Sequence, residues 1–307
     1  MGRRLPLVLL GAAWGLLAIT SSSGAAQSRA SQTVRGSILA ASPHGLYRRY
    51  PGGRLKQLTT NANDRFPAWS KDGRQVAFER LDPPRLGCPL FVMRGDGTGA
   101  HQVGDVMTDC SGAGWDPAGR RLVFGGAPPG ANGATLWVVN ADGTGLRRLL
   151  QGRGANAEGT HPAWSPNGRT IVFGWTATPS GLLAIRPNGS GLHALVKPPP
   201  RSGRTFVQPS WSRDGTRLVF VQVELTSNTR KIVVATAGGK KLRVLAHLVL
   251  NSTDQGAPSW SPNGSRVAFS GRCGQQICVW TIPSRGGRRQ VLMRGLFFHA
   301  SWGPGSS

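Results

Sequence analysis

Acidic side chains are scarce in this chain: 13 Asp and Glu stand against 37 Lys and Arg in 307 residues, a formal net charge of +24. With an isoelectric point near 11.7, the molecule favours anionic surroundings. The same excess arises where arginine is used freely on any solvated face, and the sequence leaves both origins open. Long apolar runs are also scarce. The one at residues 5–19, LPLVLLGAAWGLLAI, falls short of the roughly 20 residues that span a membrane. A basic MGRR precedes it, and the small polar stretch TSSSGAAQSRA follows, with cleavage sites after Ala26 or Ala30. That is the three-part layout of a secretory signal peptide. Residues 1–30 are therefore expected to direct export to the periplasm, the cell surface or the medium, with membrane tethering by this segment as the lesser alternative. No cysteine follows the run, so no lipid anchor is indicated.

Cysteine is limited to four residues, an even number that reads as disulfides in an exported chain. Cys273 and Cys278 bracket GQQI and are expected to staple a hairpin, which leaves Cys88 and Cys110 as the second pair. Neither pair has histidine or further cysteine at ligand spacing, so no metal and no cofactor is expected. Catalytic signatures are missing too: there is no G-x-S-x-G elbow and no H-E-x-x-H. GRGANA at residues 152–157 approximates a dinucleotide fingerprint, but no helical pattern follows it, so it reads as a loop. Helical periodicity is absent from residues 31–307 altogether.

What is present is glycine and proline, 44 and 22 residues, with 39% hydrophobic residues, a composition that suits a turn-rich globular domain with a sizeable core. It is also written in repeats. FPAWSKDGRQVAF, GAGWDPAGRRLVF, HPAWSPNGRTIVF, QPSWSRDGTRLVF and APSWSPNGSRVAF are near-copies, and HASWGPG begins a sixth. Their tryptophans, Trp69, Trp115, Trp164, Trp211, Trp260 and Trp302, are 46, 49, 47, 49 and 42 residues apart. A period of this size marks a propeller or an array. Glycine stands four residues after the tryptophan in each complete copy, suiting a tight turn that needs positive φ, and phenylalanine stands nine after it. The segments that follow each turn are β-branched and aromatic, and two more strand-like segments complete each unit, as in LFVMRGDG and HQVG.

Four antiparallel strands per unit describe propeller blades. GSILAAS, GLYRRYPGG and LKQLT near the N-terminus read as strands two to four of a blade that lacks its first, and FFHASW supplies that strand. The expected fold is thus an all-β, six-bladed propeller of four-stranded blades, closed by a C-terminal strand that completes the N-terminal blade. Closure removes the sheet edges an open array would expose. The PAWSPNG and PSWSRDG words with their DGTG turns resemble the repeats of TolB-like six-bladed propellers over nearly all of residues 34–302. The resemblance implies the propeller alone. TolB carries a separate N-terminal domain for which this chain has no room, and propeller peptidases add a hydrolase domain that is not expected here.

Candidate functional residues fall on two faces. The loops that enter first strands collect Asp64, Asp109, Glu158, His161, Gln208, Asp254 and His299, each a few residues before a repeat tryptophan, on the face where propellers usually bind. These residues read either as a ligand- or partner-binding mouth or as solvated caps of strand ends. A metal-assisted hydrolase or lyase using His161, His299, Glu158 and Asp254 is the alternative from another class. Both expected disulfides stiffen this face. The opposite face gathers the tight turns and their cations: Arg74, Arg120, Arg121, Arg169, Arg217 and Arg266 at the first turn, and Arg54, Arg147, Arg148, Lys240, Lys241, Arg243, Arg288 and Arg289 at the second. That face suits an anionic envelope polymer or membrane surface. Export argues against nucleic acid, and the tryptophans that would stack bases are read as packing between blades. The sequence therefore predicts an exported, non-catalytic binding or scaffold protein, monomeric, with a protein partner of unspecified identity.

Overall fold

The computed structural model describes residues 36–82, 87–104, 111–128, 135–150, 159–175, 180–227, 229–248 and 257–304. They form six four-stranded antiparallel sheets and no helix. Innermost strands run Asp64–Trp69, Ala113–Trp115, Gly159–Trp164, Arg204–Trp211, Ser259–Trp260 and Phe298–Trp302, so each ends on a repeat tryptophan. The last of these pairs with Ile38–Ser42, followed outward by Gly45–Arg49 and Leu55–Gln57. The ring closes as the split repeat requires. This mixed blade is called blade 1, and blades 2 to 6 follow in chain order.

The repeated words build the same corner in each complete blade. In blade 2 the Ser70 hydroxyl donates to Asp72 Oδ1 at 2.7 Å and accepts from the Gln75 N–H at 2.9 Å, closing the turn around Gly73 at φ 73°. Ser165, Ser212 and Ser261 make the same pair of bonds. Blade 3 reads WDPAG, and there Asp116 accepts directly from the N–H groups of Arg120 and Arg121 at 2.8 and 3.2 Å.

Packing between blades uses the two fixed aromatics. Phe78, Phe173, Phe220 and Phe269 are fully buried and Phe124 nearly so. The indole N–H of Trp115 donates to Ala68 O at 3.0 Å, that of Trp211 to Ala163 O at 3.3 Å and that of Trp260 to Ser210 O at 3.1 Å. In these three cases the acceptor belongs to the residue just before the tryptophan of an earlier blade. These three tryptophans thus stitch blades together.

Both tight turns of a blade lie on one face: the N–H of Gly95 in the second turn of blade 2 donates to Arg74 O in the first at 2.7 Å, and Ala141 to Arg120 O does the same in blade 3 at 2.9 Å. Loops between second and third strands lie on the other face. Cys273 and Cys278 are disulfide-bonded across one of them. Cys88 is also disulfide-bonded, and its expected partner Cys110 lies outside the described residues.

Candidate functional site

Four of the six strands that line the channel share an irregularity. Pairing between first and second strands slips by one residue at Arg65/Ala68, Thr160/Ala163 and Val207/Ser210, and the closing strand slips opposite Leu39/Ala41. Such a bulge re-aims one side chain. At the slip, three residues before each tryptophan, Phe66, His161, Gln208 and His299 adopt left-handed φ of 50°, 49°, 55° and 54°, a conformation costly for residues other than glycine. Gly112 holds the same place in blade 3 at φ 72°.

These residues meet inside the ring. Phe66 lies with its centroid 3.9 Å from the His299 ring and packs edge-on to His161 at 5.3 Å. Gln208 Nε2 stands 3.5 Å from His161 Nε2. Gln208 Oε1 and the Nδ1 atoms of His161 and His299 have no hydrogen-bond partner. Burial, with the Arg230 charge second, brings His161 down to about 4, and burial, then His161 and Arg65, brings His299 down to about 3. Both rings are therefore neutral near pH 7.

Beside them sits a carboxyl group that the candidate set omits. Glu79 is buried, and its Oε1 accepts from the Gly112 N–H at 2.8 Å while Oε2 has no partner. Burial pushes Glu79 up to about 8, against the pull of the Gly112 and Ser111 backbone N–H groups and of Arg65. A comparison of copies signals it: the residue after the repeat phenylalanine is Glu in blade 2 but Gly, Gly, Val and Ser in blades 3 to 6.

A cavity of about 310 Å³ extends from this ring toward the turn face. Its floor includes Phe66, His161, Gln208 and His299, and its outer lining includes Lys71, Pro117, Pro166 and Arg213, each two residues after a repeat tryptophan. A smaller recess adjoins it and also reaches Lys71 and Arg213. Both cations are exposed, and neither belongs to the candidate set drawn from the sequence. Their signal is positional, since the corresponding residues in blades 3, 4, 6 and 1 are Pro117, Pro166, Pro262 and Pro304.

Of the seven mouth residues expected from the sequence, three are brought together: His161, Gln208 and His299. They line the channel interior at one equivalent position of their blades. Asp64 is buried elsewhere, spending Oδ1 and Oδ2 on Arg80 at 2.6 and 3.1 Å. Asp109, Glu158 and Asp254 lie outside the described residues.

The expected basic residues divide. Arg54, Arg74, Arg120, Arg147, Arg148, Arg169, Lys240, Lys241, Arg288 and Arg289 are exposed. Of these, Arg147 donates to Pro187 O at 2.8 Å and Arg148 to Leu150 O at 2.9 Å, and Arg121 and Arg243, also exposed, are tied to Asp116 Oδ2 at 3.0 Å and Ser284 O at 2.6 Å. Arg217 and Arg266 are half-buried and work within the fold. Arg217 donates to Gly264 O at 2.9 Å and covers the Trp260 ring at 4.5 Å, while Arg266 donates to Thr281 Oγ1 at 3.0 Å.

Six four-stranded blades, a strand-closed ring and a lined central channel define a six-bladed β-propeller. Residues 50–306 match the TolB beta propeller domain, and the chain belongs to that family. TolB from Acinetobacter baumannii superposes with a TM-score of 0.72 at 15% identity, covering 88% of this chain and 67% of that one. A putative TolB from Agrobacterium tumefaciens gives 0.63 at 15% identity, covering 85% and 90%. An oligogalacturonate lyase in complex with manganese gives 0.54 at 16% identity, covering 81% and 70%. At these identities each likeness is one of fold.

Proposed function

We propose that the protein is an exported, non-catalytic binding module whose turn face rests on an anionic envelope surface and whose loop face engages a protein partner. The observation that carries this reading is the turn face. Ten exposed lysines and arginines from the expected set gather there, and among the described residues only Arg74 of the ten is ion-paired, with Asp72. The described aspartates on that face are drawn into its turns: Asp72, Asp96, Asp142 and Asp214 each accept from the N–H two residues on, and Asp116 from Arg120. Many weak contacts of this kind add up on a polyanion and weaken with salt. The Cys273–Cys278 staple on the opposite face supports a rigid presenting surface there.

The test is charge reversal of Arg147, Arg148, Arg288 and Arg289 to glutamate, which spares the blade-to-blade bonds made by Arg217 and Arg243 and removes the exposed one from Arg147 to Pro187 O. Retention of the purified protein on a phosphate resin should be lost. Unchanged retention overturns the surface reading.

One observation favours a second reading, a metal-assisted hydrolase or lyase: His161, His299 and Gln208 converge in the channel with unpartnered atoms. Among the described residues no three His, Cys, Asp or Glu side chains are grouped to hold an ion, and Glu158 and Asp254 lie outside them. Elemental analysis of the purified protein separates the two readings.

A further inference from the structure

The cavity on the turn face has unequal walls. One residue before each tryptophan, blades 5, 6 and 1 present Ser210, Ser259 and Ser301, whereas blades 2, 3 and 4 present Ala68, Gly114 and Ala163. Ser259 Oγ accepts from the Trp302 N–H at 2.7 Å and Ser301 Oγ accepts weakly from the Trp69 N–H at 3.4 Å, so these two hydroxyl protons are not spent on those bonds. At this position one side of the cavity carries hydroxyl groups and the other carries none.

The rim is equally uneven. Blades 2 and 5 stand opposite each other in a ring of six, and they alone carry cations two residues after the tryptophan. Lys71 Nζ reaches from blade 2 to Pro166 O of blade 4 at 3.4 Å, which occupies one of its three protons. Arg213 makes no hydrogen bond or ion pair among the described residues. The one carboxylate in the lining, Asp116, is already bonded to Arg121 at 3.0 Å. Floor residues His161 and His299 are neutral near pH 7. Two positive charges at the mouth thus face no unpaired negative one in the described lining, and a cleft lined by charge of one sign concentrates counter-ions.

We propose that the turn-face half of the channel binds a small organic oxyanion of about monosaccharide size, its carboxylate or phosphate held between Lys71 and Arg213. The body of the ligand lies between the serine wall and the alanine wall, over Phe66 and Gln208. About 310 Å³ sits at the small end of ligand cavities, which suits one ring and excludes a folded partner. Oxyanions take charge-assisted bonds from guanidinium and ammonium groups, and hydroxyl-bearing ligands use the serines. This site goes beyond the scaffold reading and does not depend on it.

The test is calorimetric titration of the full chain with D-glucuronate, D-glucose 6-phosphate and D-glucose at constant ionic strength. At least one anion should bind at one site per molecule with a Kd below about 1 mM, and glucose should not. The tighter anion identifies carboxylate or phosphate as the favoured charge. Lys71→Pro with Arg213→Pro should lower that affinity at least tenfold. Proline already occupies this position in four blades, so the double variant keeps the backbone conformation its turns require. Charge reversal at Arg147, Arg148, Arg288 and Arg289 should leave pocket affinity within about twofold, because those groups are screened at physiological salt. The proposal is overturned if neither anion binds, if glucose binds equally well, if the double variant binds unchanged, or if the surface reversal abolishes binding.

Discussion

Nine residues after the repeat tryptophan the five complete blades carry the same side chain, and three residues before it no two neighbouring blades do. The first position holds Phe78, Phe124, Phe173, Phe220 and Phe269, all buried. The second holds Phe66, Gly112, His161, Gln208, Ala257 and His299 around the channel. At the second position the left-handed backbone recurs in five of the six blades, at Phe66, Gly112, His161, Gln208 and His299. Where every blade must solve the same packing problem the residue repeats, and where the backbone repeats but the residue does not, the side chains are free to answer to something other than the fold.

The largest expected effect comes from breaking the uniform position. Phe220→Ala removes a fully buried ring from the hydrophobic cluster that also holds Phe206, Leu218 and Val233. Chemical denaturation should report a loss of about 3–5 kcal/mol. Gln208→Ala, at the variable position in the same blade, should cost far less in that assay, since Gln208 Oε1 has no protein partner to lose. Equal losses would erase the distinction between the two positions.

A pH profile should sharpen it. Glu79 titrates higher in the folded chain, about 8 against an ordinary 4.5, so its stabilisation is full below pH 4.5 and is lost as pH rises toward 8. His161 and His299 titrate lower than their ordinary 6.5, at about 4 and 3, so their contribution is full above pH 6.5 and is lost as pH falls. Between pH 4.5 and 6.5 two histidines outweigh one carboxyl group, and above 6.5 the carboxyl acts alone. Stability should therefore peak near pH 6.5 and decline by on the order of 1–2 kcal/mol by pH 8. Glu79→Gln should flatten the alkaline limb in thermal melts across that range, and a limb that persists would mean that Glu79 is not its cause.

The fold was legible because tryptophan spacing, turn glycine and buried phenylalanine are properties of one copy read five times. The split blade was legible for the same reason, since Ile38–Ser42 and Phe298–Trp302 are the halves of one unit. The channel was half legible. His161, Gln208 and His299 could be placed near it by their distance from tryptophan, but the bulge that turns them inward leaves no trace in residue type. The pairing of Asp64 was hidden for a related reason: its bond to Arg80 depends on cross-strand register, which pairs the two directly. Lys71, Arg213 and Glu79 are exceptions within aligned copies, and they are found by asking which residue breaks the repeat.

The smallest effect tests whether the channel position tolerates any side chain. Gly112 has φ 72°, and a Cβ there would lie 3.4 Å from Phe66 Cβ and 3.7 Å from His161 Cδ2, ordinary contact distances. Phenylalanine, histidine and glutamine already adopt nearly this φ in other blades. Gly112→Gln should thus cost only the left-handed backbone penalty, about 1 kcal/mol, and the Gly112 N–H can still reach Glu79. Two residues on, the same comparison fails. A Cβ on Gly114 would lie 2.5 Å from Pro162 O, so Gly114→Ala must displace backbone even though other blades carry alanine or serine there. Denaturation midpoints that rank Gly114→Ala below Gly112→Gln would establish that the blades diverge in backbone approach at one channel position and only in side chain at the other; the reverse order would mean that blade 3 needs its glycine for the turn into the channel itself.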